Sequence, residues 1–144
     1  MKNRFFDERQ VQISGKVFFH GLITAFVLLL VNAFLHGFDI VWGSGFHQNI
    51  IIILIVLKVV IIEAIIRDAF FGMGQMRWPI IGTFGVVSLV LTAGVVNIFV
   101  QGSALVYDGM LTNHGFIVIA AVMPVSVTVA GLAKEIVEKR SNQE

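Results

Sequence analysis

Four long apolar runs, at about Lys16–His36, Ile50–Arg67, Ile80–Gln101 and Gly115–Ala133, limit what this chain can fold into. Each has about 18 residues or more, enough at 1.5 Å per residue to cross a hydrocarbon core of roughly 30 Å. Inside a bilayer the backbone has no water to bond, so each run must satisfy its own N–H and C=O groups as a helix. The expected fold class is therefore an all-α membrane protein with four transmembrane helices in one bundle. Of the 144 residues 57% are hydrophobic and 13% charged, too little polar surface for a soluble domain of this length. Residues 1–15 and 134–144 are left as a short juxtamembrane segment and a tail.

The first run has a longer apolar stretch than a secretory signal and no small-residue cleavage site after it, so it is expected to stay as a span. Lys2 stands where a myristoylation signal needs glycine. With no cysteine, disulfides, thiolate metal sites and cysteine nucleophiles are excluded. A net charge of +1 gives no footprint for direct nucleic-acid binding.

The placement of charge predicts orientation. Lys2, Arg4, Arg9 and Lys16 precede the first span, Arg67 and Arg77 flank the second link, and Lys134, Lys139 and Arg140 follow the fourth span. Segments 37–49 and 102–114 carry no Lys or Arg. The positive-inside rule then places both termini and the middle link in the cytoplasm, as expected for a bacterial cytoplasmic membrane. Trp42, Phe46, Trp78 and Tyr107 fall near span ends, where interfacial aromatics belong.

An internal echo is present. VNAFLHG (Val31–Gly37) and VNIFVQG (Val96–Gly102) match in Asn, Phe and Gly at the same spacing. AIIRD (Ala64–Asp68) and GLAKE (Gly131–Glu135) match more loosely. The pattern predicts a parallel repeat of two helical hairpins. It would put Asn32 and Asn97 at one depth, either lining a polar site or bonding between helices.

Small and hydroxyl residues line one stripe each on three spans: Gly21, Ala25, Asn32 and His36; Gly82, Gly85, Ser88 and Thr92; Ala120, Pro124, Thr128 and Gly131. Such stripes allow close helix approach. The second span is almost all Ile, Val and Leu, and is expected to be the helix with most lipid contact.

That span carries Lys58 at its centre. A central lysine costs about 2.5–3.5 kcal/mol on insertion scales, which about a dozen aliphatics at roughly 0.3–0.6 kcal/mol each outweigh. Once inserted, its ammonium must lose its proton, reach an interface, or face polar groups, for which Thr24, Ser88, Thr92, Ser126 and Thr128 lie at comparable depth. Glu63 lies on the face of Arg67, four residues on, in the favoured acid-first order, and His20 is at similar depth on the first span. Intramembrane ionisable groups are functional candidates, so Lys58, Glu63, His20, Asn32 and Asn97 form the candidate set. His36, Asp39, His47, Asp108 and His114 gather at the other membrane face without tight metal-ligand spacing; interfacial polarity accounts for them, and no metal or cofactor is expected. No nucleophile elbow, HExxH or phosphate loop occurs, and Gly72-Met73-Gly74 reads as a turn.

Asp7, Glu8, Arg9 and Gln10 form a dense polar cluster before the first span, readable as an interfacial helix or as a docking face for a cytoplasmic partner. Together with Asn32–Phe34 and Arg67–Gly72, this D-E-R-Q segment resembles an uncharacterised family of small multi-pass membrane proteins common in Gram-positive bacteria. The resemblance covers about the first half of the chain and implies no activity or catalytic residues. Similar families often neighbour small helix-turn-helix regulators, which implies a regulatory role by association. The expected function is a non-enzymatic regulatory or interaction protein serving a cytoplasmic or membrane partner. The alternative is a small homodimeric transporter or export component using Lys58 and Glu63.

Overall fold

The computed structural model describes residues 8–67 and 77–141. Its helices are α1 (Glu8–Gly37), α2 (Gly45–Ile66), α3 (Arg77–Val100) and α4 (Asn113–Ser141), each long and apolar enough to cross a membrane. The chain is a multi-pass membrane protein. Between α3 and α4 a two-residue turn joins β1 (Val106–Tyr107) to β2 (Met110–Leu111), antiparallel with Tyr107 opposite Met110. Asp108 (φ 50°) and Gly109 (φ 74°) both take positive φ, the backbone that an Asp-Gly hairpin turn requires. One end of the bundle carries this hairpin and the α1–α2 loop; the opposite end carries the starts of α1 and α3 and the ends of α2 and α4. We call them the hairpin end and the terminal end.

The helices pack in the order α1, α2, α4, α3. This corrects the expectation that the second span faces lipid most. Five residues are buried on each of α2 and α4, against two on α1. The reason is complementary shape. The branched Val60 fills a notch in α1 at Gly21, where any Cβ would collide with its methyl group. Beside it Val17 and Ala64 are buried, with Ile13 packed against them. On the other side Ile65, Ile81 and Val127 join α2, α3 and α4 in one cluster, and Gly131 lets Ile81 approach. Aliphatic side chains that suit lipid suit a glycine notch equally well, and van der Waals fit decides between them.

Side-chain and backbone caps set four of the helix ends. Ser44 Oγ accepts from His47 N at α2, and Thr112 Oγ1 accepts from Gly115 N at α4. Gly115 itself has no room for a Cβ, which would strike the Leu105 carbonyl. At the other end of α1, Ile40 N bonds Leu35 O and Asp39 N bonds His36 O; α3 closes alike through Ser103 N to Ile98 O and Gly102 N to Phe99 O. The left-handed residue is Asp39 in the first case and Gly102 in the second. Gly37, which matches Gly102 in sequence, is still helical, so α1 runs further than the echo implies.

α1 also begins early. It is unbroken from Glu8, so the described part of the juxtamembrane segment continues the first span. Glu8 lies in the first turn, where an acid complements the helix dipole. Thirty residues rise about 45 Å, longer than a hydrocarbon core, so part of α1 projects beyond it.

Candidate functional site

The intramembrane charges lie along α2. Its α1-facing side and its α4-facing side leave a strip between them, where an open groove of about 430 Å³ is lined by Lys58, Val59, Ile62, Glu63, Ile66 and Arg67. These residues fall in two rows, 58-62-66 and 59-63-67, as the helical repeat dictates.

Glu63 is the hub of this strip. Its Oε1 accepts from Arg67 Nε at 2.8 Å, the predicted partner one turn on. Across the helix interface His20 Nδ1 lies 2.8 Å from Oε1 and 3.0 Å from Oε2. A carboxylate can only accept here, so His20 carries its proton on Nδ1. Glu63 thus takes both partners that the sequence offered it. The Glu63 side chain is 18% exposed, less than half the exposure of either partner, so the carboxylate is enclosed by the groups it bonds.

Lys58 is treated differently. It is half-buried, and among the described residues it makes no hydrogen bond or ion pair. The hydroxyls expected near it are engaged elsewhere. Thr24 donates to His20 O, Ser88 to Phe84 O, Ser126 to Met123 O and Thr128 to Pro124 O, each on its own helix. Ser88 and Thr128 Oγ atoms also lie 3.2 Å apart, joining α3 to α4. Thr92 and Ser126 line a separate open groove between α3 and α4, of about 500 Å³ and otherwise apolar.

The asparagines are not a pair. Asn32 Oδ1 accepts from Trp42 Nε1 at 3.0 Å, tying α1 to its own loop. Asn97 is exposed and accepts from Gln101 Nε2 at 3.3 Å within α3. They sit on α1 and α3, the two ends of the helix row. The row order separates what the echo would bring together.

The His/Asp group at the hairpin end resolves into separate local roles. Asp39 and Asp108 supply positive φ. His36 Nε2 donates to Gln48 Oε1 at 2.7 Å, and Gln48 Nε2 donates to Gly43 O at 2.9 Å. Gln48 is 1% exposed, a buried polar anchor that sequence reading did not single out. The His47 ring stacks on Phe116 with centroids 4.8 Å apart, joining the first turns of α2 and α4. Among the described residues no three metal-binding side chains converge.

At the terminal end Lys134 was also missed. Its Nζ donates to Ile65 O and Ile66 O, both at 2.8 Å, and so closes the last carbonyls of α2 from α4. A lysine just past a span end is the signal for this, although it also serves the positive-inside rule. Of the N-terminal polar cluster, Glu8, Arg9 and Gln10 form the first turn of α1, with Glu8 and Arg9 exposed, while Asp7 lies outside the described residues. The Gly72–Gly74 turn and most of the Arg67–Gly72 segment also lie outside them.

No protein-family model matches the chain, and no curated protein and no solved structure matches it.

Proposed function

We propose that this is a non-enzymatic interaction protein of the bacterial cytoplasmic membrane, with both termini in the cytoplasm, serving a regulatory partner. One observation carries this reading. Glu63, His20, Asn32 and Asn97 each bond another side chain, and Lys58 alone among the candidate set stands without a partner among the described residues. A chain that spends its polar groups on structure and leaves one facing outward is suited to association rather than catalysis. The first turn of α1, where Glu8 and Arg9 are exposed and Gln10 half-buried, supplies the docking face at the cytoplasmic surface, together with Asp7 before it in sequence. The resemblance to membrane proteins found beside helix-turn-helix regulators suggests a cytoplasmic regulator as that partner. The two hairpins meet through α2 and α4, the order that a two-fold axis along the membrane normal generates, and this supports the parallel repeat.

Crosslinking of the tagged chain in native membranes, followed by mass spectrometry, tests the reading. A defined partner should crosslink through residues 1–10 and be lost when they are deleted. If that deletion leaves every co-purifying protein in place, the docking segment is wrongly assigned.

A second reading has one observation in its favour. The open groove with Lys58, Glu63 and Arg67 on one strip is where a homodimeric transporter would carry an ion or ligand. Lys58→Met and Glu63→Gln would then abolish flux at normal expression. Under the interaction reading neither variant affects any flux.

A further inference from the structure

Lys58 sits well inside α2, eight residues before Ile66 and thirteen after Gly45. At 1.5 Å per residue the nearer end of the helix is roughly 12 Å away. Its four-carbon stem does not cover that distance. The Cα–Cβ bond also tilts towards the helix N-terminus, which is the farther, hairpin end. The ammonium is therefore held within the apolar layer, facing the open groove on α2.

Among the described residues nothing neutralises it. Glu63 is engaged by His20 and Arg67, and the hydroxyls expected at this depth serve their own helices. The counter-charge must come from outside. A lipid phosphate at the terminal end would meet Arg67 first, and it would have to pass the Glu63 carboxylate to reach Lys58. A second copy with its two-fold, along the membrane normal, at this strip would bring Lys58 towards Lys58 at equal depth and leave Glu63 roughly 7.5 Å away in depth. A carboxylate carried at mid-span on another membrane helix satisfies depth, sign and access together.

We infer that the open face of α2 docks a transmembrane helix of a partner protein that carries one Asp or Glu near its middle, with that carboxylate on Lys58. Ionisable groups inside membranes pair with one another because each alone is costly. Ile66, which is 64% exposed, and half-buried Val59 and Ile62 supply the apolar surface beside the charge. This inference rests on the interaction reading above and names the chemistry of a membrane partner for it.

The test uses the whole chain, fluorescently labelled, in phosphatidylcholine vesicles, with a minor share of phosphatidylglycerol added in a parallel set. The probe is a synthetic Leu/Ala helix of about 20 residues with a single central Asp. Energy transfer should report association at least about tenfold tighter than for the same helix with Leu at its centre, a difference of roughly one factor of ten in Kd. Lys58→Met should erase that preference. Lys58→Asp should transfer it to a helix with a central Lys, which a merely misfolded variant would not do. Equal association of the Asp and Leu helices overturns the inference, as does a preference that survives Lys58→Met. So does either alternative occupant: phosphatidylglycerol enrichment around the chain, or energy transfer between two copies of it, that is lost on Lys58→Met while the Asp helix is ignored. A native partner that crosslinks through residues 1–10 and is indifferent to Lys58→Met, with the Asp helix also ignored, removes this inference and leaves the interaction reading standing. The absence of any native partner removes the reading itself.

Discussion

The last two turns of α2 and the middle of α2 both carry charge, but they differ in where the counter-charge comes from. In the last turns everything is supplied by the chain. Glu63 is held by His20 from α1 and Arg67 from its own helix, and the free carbonyls of Ile65 and Ile66 are closed by Lys134 from α4. At the middle, Lys58 has the same helix beneath it and no partner from any described element. The difference teaches that burial of charge in this protein is not a matter of depth alone. The terminal end is where three helices converge and can share polar groups; the middle of the strip faces outward.

The contrast can be broken in order of effect. Glu63→Leu strips Arg67 and His20 of their acceptor and should destabilise the chain by about 2–3 kcal/mol, somewhat below the usual cost of halving a buried pair because Arg67 lies at the helix end. Unfolding in mixed micelles measures this. Lys134→Met removes two charge-assisted bonds to the α2 carbonyls and should cost about 1.5 kcal/mol by the same assay. His20→Phe removes one of the two partners of Glu63 and should cost about 0.6 kcal/mol, the average for interhelical hydrogen bonds in membranes. Lys58→Met should cost nothing in the isolated chain, and its insertion should improve. A loss of more than about 1 kcal/mol there would mean that Lys58 has a structural partner, and the contrast would collapse.

Much of this was legible in the residues. The four spans follow from length and composition, and the Glu63 pairings follow from helical spacing and shared depth. The position of α2 did not. Ile, Val and Leu are equally at home in lipid and against a glycine, so the polarity of α2 says nothing about its neighbours. The informative residue was Gly21 on another helix, whose partner Val60 is invisible until the helices are placed. The asparagine echo misled for a related reason. Matching segments set where two residues lie along their helices, whereas the row order sets whether those helices touch. The hairpin at Asp108-Gly109 carried its own turn signal and was passed over among the polar residues of that loop.

The row order and Lys134 together have a consequence for how the chain is made. Synthesis runs from the N-terminus at roughly 5–20 residues per second, and 69 positions separate Ile65 from the lysine that closes its carbonyl. The end of α2 therefore waits on the order of several seconds, with α3 already translated, before α4 leaves the ribosome. α4 must then take a place between two helices that preceded it. Of these four helices the latest to be made is the one that joins α3 to the first pair.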